Sequence, residues 1–190
     1  MVREDLSDFL IHWTSGADDL EAFDALYKII TSKVIQGSTR YIKGSYSCVC
    51  FTEAPAKYFS FQKRSYKPFG IGVTKKYLYS IGGRPVIYES AEEFNTLPDD
   101  IKWRHVHYDP CLEPPIDFTW EREWRIQGDV YLDHEEVLII LPDSHWETEI
   151  SNRFDYEEAI RYQWECLGYG QDLATWPESF LYTIVSIDKL

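Results

Sequence analysis

The hydrophobic pattern of this chain changes period repeatedly, and each change marks an element. Residues 6–14 (LSDFLIHWT) are apolar nearly throughout and read as a short strand. Residues 15–18 form a turn. Residues 18–31 then place Leu20, Phe23, Leu26, Tyr27 and Ile30 at helical spacing, the pattern of an amphipathic helix. Gly37, Ser38 and Gly44 mark a loop before a strand over 46–52 whose residues are nearly all compatible with burial. Pro55 suits the start of a helix over 56–62, and residues 63–69 read as a basic loop. Residues 71–73 are short and β-like, and 75–80 make one or two helical turns. Gly82 and Gly83 turn the chain into a strand at 85–88.

Ser90 followed by Glu93 is a capping box that predicts a short helix over 91–97. Residues 102–108 alternate as a strand does, and 111–115 form a proline-rich loop. Residues 118–126 read as a strand ended by Gly128. An apolar strand follows at 137–141, a helix at 154–168 and a last strand at 182–187. Helices and strands mix without regular βαβ alternation, so the expected fold is α+β, a single domain over residues 1–190 with a largely antiparallel sheet.

Composition narrows the class. The chain has 190 residues, of which 44% are hydrophobic and 16% aromatic, enough for one packed core. No apolar run approaches a membrane span, and the start of the chain does not resemble a signal peptide, so a soluble cytoplasmic protein with no membrane partner is expected. Cys48, Cys50, Cys111 and Cys166 have no zinc spacing, and the histidines add no ligand ladder. Reduced, buried thiols and no metal are the expectation.

The net charge of -13 is unevenly spread. Residues 1–24 carry -6, residues 25–88 carry +10, and residues 89–190 carry -17. Either the opposite blocks pair across the fold, or the basic block forms a wall for an anionic ligand. A phosphate-bearing small molecule suits such a wall better than duplex DNA, which the acidic remainder would repel.

Two segments carry candidate chemistry. His12-Trp13-Thr14 puts an imidazole and a hydroxyl on one face of a strand. That pair can hold a ribose hydroxyl or an amide; the plainer reading is a buried histidine bonded to backbone. Glu121 and Glu123 stand two apart among Trp120, Arg122, Trp124 and Arg125, so on a strand both carboxylates point the same way. A carboxylate beside an aromatic wall can stabilise an oxocarbenium-like sugar cation. The plainer reading is an edge where the glutamates pair with the arginines. Thr52 ends a buried strand and offers either a site hydroxyl or a helix cap. No glycine-rich phosphate loop, nucleophile elbow or zinc-helix motif is present, and no clustered Asp/Glu–Lys set suggests a nuclease.

"LIHWTS", "CVCFTEAP", "GRPVIY" and "FTWEREWRI" resemble segments of the bacterial family DUF2971 and of abortive-infection proteins of the AbiGi type, over roughly residues 8–141. The strand layout is more distantly similar to ADP-ribosyltransferases, the superfamily of the DNA-modifying toxin DarT and the RNA 2′-phosphotransferases. That resemblance implies a split sheet and NAD as co-substrate. It implies that His12 and Thr14 hold the nicotinamide ribose, that Thr52 supports the site, and that Glu123 promotes cleavage while Glu121 faces a protein or nucleic-acid acceptor. Arg40 or Lys43 would then meet the pyrophosphate, and Tyr46 or Trp13 would stack on nicotinamide. The expected function is ADP-ribosyl transfer or NAD hydrolysis in bacterial or phage conflict. The rival is a non-catalytic protein, either a nucleotide or anion sensor or a neutralising partner in a defence system.

Overall fold

Side chains alternate across a strand, so β1 (Phe9–Ser15) divides its residues between two faces. Leu10 and His12 project to one face, and Ile11 and Trp13 to the other. Both faces are covered, which is why the strand is apolar nearly throughout. The computed structural model describes residue 7, residues 9–56 and residues 66–187. The helix expected over 56–62 falls mostly outside them.

β1 lies in a seven-stranded sheet with β3 (Cys48–Thr52), β4 (Tyr66–Thr74), β5 (Arg84–Pro85), β8 (Glu123–Gln127), β10 (Val137–Leu141) and β11 (Thr183–Ser186). The order is β11-β10-β4-β1-β3-β8-β5. Only β10 and β11 pair in parallel; the other neighbours are antiparallel. This is a single α+β domain with a mostly antiparallel open sheet. Two small ribbons stand apart from it. β2 (Val34–Ile35) pairs with β9 (Val130–Tyr131), and β6 (Ile87–Glu89) pairs in parallel with β7 (His105–His107).

The first face carries the main core. α1 (Asp19–Ser32) lays Ala22, Phe23, Leu26, Tyr27 and Ile30 on it. Leu20, expected on that stripe, is instead 60% exposed, and Ala22 takes the contact. Asp18 accepts the Glu21 amide at 2.8 Å and Glu21 accepts the Ala17 amide at 2.6 Å, which fixes where α1 begins. α2 (Lys75–Ser80) follows β4, capped by Thr74. α3 (Ser144–Tyr169) starts ten residues before the expected 154, because Asp143 caps the amides of His145 and Trp146. The polar run at 144–153 hides that start from a periodicity reading. Phe23, Phe69 and Trp146 meet with ring centroids 4.8–6.1 Å apart and tie α1, β4 and α3 together.

The second face is covered by Ile11, Trp13, Ala54, Ala56 and Ile140, and nearer the start of β3 by Ile42, Cys48 and Trp103. β1 and β4 approach closely here. A Cβ at Gly70 would lie 2.9 Å from the His12 carbonyl oxygen and from the Trp13 ring.

Four other expectations change. Residues 66–69 belong to β4, not to a basic loop, because their apolar Phe69 is needed under α1. Residues 91–97 form only a 3₁₀ turn at Glu93–Asn95, although Ser90 and Glu93 do make the reciprocal capping bonds. Lys102–Arg104 is a 3₁₀ turn leading into β7. The strand expected at 85–88 is divided between β5 and β6, which join different sheets. Among the described residues no helix is long and apolar enough to cross a membrane.

Candidate functional site

The segment 118–126 is not one strand. Thr119–Glu121 is a 3₁₀ turn, Arg122 takes a left-handed conformation at φ 47° and ψ 53°, and β8 begins only at Glu123. The left-handed residue breaks the alternation, so Glu121 and Glu123 are not strand neighbours sharing a face. Glu121 is buried at the end of the turn. The Thr52 hydroxyl donates to its carbonyl oxygen and accepts the Ala54 amide at 3.2 Å, so Thr52 fastens the turn to the end of β3.

Register places Glu123 on the second face. β3 and β8 pair Thr52 with Glu123 and Cys50 with Arg125, and β1 pairs Ile11 with Thr52. Directly paired residues share a face. Glu123 therefore lies with Thr52, Cys50 and Ile11. One residue along β1, His12 points to the opposite face, where its ring meets Phe51 at 5.8 Å. A common cleft for His12 and Glu123 is not formed, because the sheet runs between them.

Arg125 pairs with Glu123, the plainer reading of the motif. Its Nε donates to Glu123 Oε1 at 2.7 Å, and its Nη1 donates to the carbonyl oxygens of Trp103 and His105 at 3.0 and 2.8 Å. The Arg125 side chain is buried, and that of Glu123 is 12% exposed. Burial works against the guanidinium charge, but Glu123 outweighs it and holds the Arg125 pKa above its ordinary value. The arrangement pins the β6–β7 ribbon to the main sheet. It also pushes the Cys50 thiol well up, first by burial and then by the nearby Glu123 charge. All four cysteines are free thiols; Cys48 is buried, but Cys111 is exposed, against the expectation for it.

The other expected ligands are engaged elsewhere. The Thr14 hydroxyl is buried and faces the carbonyl oxygens of Ala22 and Phe69 at 3.0 and 3.1 Å, joining β1 to α1 and β4. Trp13 packs on the second face, away from His12. Arg40 stacks its guanidinium on Tyr41 at 4.8 Å, and Lys43 bonds the Ala91 carbonyl oxygen at 2.5 Å while lying over Phe94. Both are exposed in the loop before β3. Tyr46 packs beside Ile42, Cys48 and Trp103. These three therefore sit by the start of β3, whereas Glu123 lies at its end. The charge blocks do partly pair across the fold, through Lys33–Glu178 and Lys67–Asp19.

His12 donates its Nδ1 proton to the Cys50 carbonyl oxygen at 2.8 Å. Burial lowers its pKa below 6.5, and that hydrogen bond only partly opposes the shift. The unfolded chain thus takes up a proton near pH 6.5 that the folded chain refuses. Stability rises with pH between the folded and unfolded pKa values, and is lost as pH falls below 6.5. Urea unfolding at a series of pH values should show this slope in the wild type and a shallower one in His12→Gln; equal slopes would show that His12 does not titrate in this way.

A cleft of about 310 Å³ opens at the β5–β8 edge, lined by Glu53, Pro85, Val86, Tyr88, Arg122, Glu123 and Trp124. Tyr88 was not foreseen as a site residue, although it closes the "GRPVIY" segment. Its hydroxyl accepts the Glu123 amide at 3.1 Å, and burial raises its pKa to about 12. Glu53 pairs with Lys75 at 2.5 Å and accepts the Trp124 indole at 3.0 Å. Among the described residues, no group of three or more His, Cys, Asp or Glu could hold a metal ion.

Compared with known proteins, the chain matches no family model, no curated protein and no solved structure.

Proposed function

We propose that this protein is a non-catalytic binding protein, a partner-binding or neutralising component of a bacterial or phage conflict system. One observation carries the first half of that reading. The groups that would perform NAD chemistry are divided between two faces of the sheet and held by architectural bonds: His12 to Cys50, Thr14 to α1 and β4, Thr52 to Glu121, and Glu123 to Arg125. A catalytic carboxylate needs its charge directed at the reacting atom; here a buried guanidinium already meets it. The conflict setting rests on the resemblance of the four quoted segments to DUF2971 and AbiGi-type proteins.

A second reading, ADP-ribosyl transfer or NAD hydrolysis on an ADP-ribosyltransferase-like fold, has one observation in its favour. The cleft at the β5–β8 edge sets Glu123 beside Tyr88 and Trp124, an acidic group against aromatic walls. In that case Glu123 would stabilise the sugar cation without help from His12. An amide-resolved NMR titration with NAD separates the two. The binding-protein reading expects no saturable shift at Glu123, Trp124 or Tyr88. Saturable shifts there would favour the transferase.

A further inference from the structure

α3 is longer than the domain beneath it requires. Its 26 residues span about 39 Å at 1.5 Å per residue, yet Ile150, in the second turn, is its one fully covered position. Beyond it the helix carries large exposed side chains: Tyr156 at 66%, Trp164 at 70% and Leu167 at 74%. With the half-buried Ile160, these recur at i, i+4, i+8 and i+11 and form one ridge.

The opposite flank of α3 is occupied by the chain itself. Arg161 bridges Glu158 and Glu165, and those carboxylates accept the backbone amides of Glu178 and Thr175 at 2.8 and 2.7 Å. Trp176 stacks on Tyr162 at 5.5 Å. Residues 171–181 are thereby strapped along one side of the helix, over a cleft of about 320 Å³ floored by Phe154, Phe180 and Tyr182. The strap fixes the C-terminal half of the helix and leaves the ridge on the other side uncovered. An exposed apolar ridge on a braced helix is the mark of an interaction surface.

Charge chooses the partner. Residues 144–178 hold eight acids and two bases, and both bases, Arg153 and Arg161, are engaged in ion pairs. Glu149, exposed two turns before Tyr156 on the same face of the helix, forms no ion pair among the described residues. A second copy of this chain, itself at -13, would bring like charge to the contact. We propose that the ridge of Tyr156, Ile160, Trp164 and Leu167 is the docking surface for a basic amphipathic helix of a partner protein, whose apolar face packs along the ridge. The inference deepens the binding-protein reading by naming its partner's chemistry.

The probe is a synthetic amphipathic helix of leucines and lysines, set against a leucine–glutamate helix of the same apolar pattern. Tryptophan fluorescence should report saturable binding of the lysine peptide, weakening as salt rises, and none of the glutamate peptide. Trp164→Ala and Leu167→Asp should each weaken binding about tenfold or more, with the melting midpoint unchanged because both residues are exposed. Glu149→Lys should weaken it without touching the ridge. Equal binding of both peptides, or no effect of the ridge variants, overturns the proposal. A dimer in sedimentation that Leu167→Asp dissolves also overturns it, assigning the ridge to a second copy. Nicotinamide release from NAD, measured on the same samples, reports on the binding-protein reading separately: a silent assay with no peptide binding removes only the docking surface.

Discussion

Arg125→Ala is expected to lower unfolding free energy by about 3–5 kcal/mol, the cost of removing one partner from a buried ion pair. The change leaves the half-buried Glu123 carboxylate unpaired near Cys50 and takes the donor from the carbonyl oxygens of Trp103 and His105. The β6–β7 ribbon loses its pin to the sheet. Arg125→Ala with Glu123→Ala should cost less than the sum of the two single changes, because the second removes the stranded charge. Urea unfolding of the four proteins measures this. An Arg125→Ala variant as stable as the wild type would mean that the "EREWR" segment does not hold the fold together.

Phe23→Ala is expected to cost about 3–5 kcal/mol, the range for deleting a buried aromatic side chain. Phe23 is 1% exposed and touches Tyr27, Phe69 and Trp146, so its loss opens a cavity where α1, β4 and α3 meet. Trp164→Ala, farther along the same α3, should stay within about 0.5 kcal/mol of wild type. The contrast separates the part of α3 that belongs to the core from the part that reaches beyond it. Comparable losses from both variants would show that the ridge is packed in solution.

Periodicity reads this chain well where an element buries one stripe or one run. α1, β10 and the apolar centre of β1 were legible because Phe23, Leu26 and Ile30, the 137–141 run, and Leu10 and Ile11 have no other place to go. It fails where a single residue resets the backbone. Nothing in the composition of 118–126 marks Arg122 as left-handed, yet that one conformation separates Glu121 from the strand and cancels the expected pair of carboxylates. The plainer reading of His12, a histidine bonded to backbone, matches its hydrogen bond to the Cys50 carbonyl oxygen. That His12 and Glu123 lie on opposite faces follows from the pairing of Ile11 with Thr52 and of Thr52 with Glu123, a register that sequence spacing does not encode. The polar start of α3 was hidden for a different reason: its first turns are set by the Asp143 cap rather than by an apolar stripe.

Under the proposed binding-protein reading, Glu123 is a structural anion paired with Arg125. The direct measurement is nicotinamide release from NAD by the wild type and Glu123→Gln, side by side, with Arg125→Ala as a third sample. No release above background is expected from any of them, with a loss of stability in the variants. Release by the wild type that falls by about 10²–10³ in Glu123→Gln, with the fold intact, would contradict that reading.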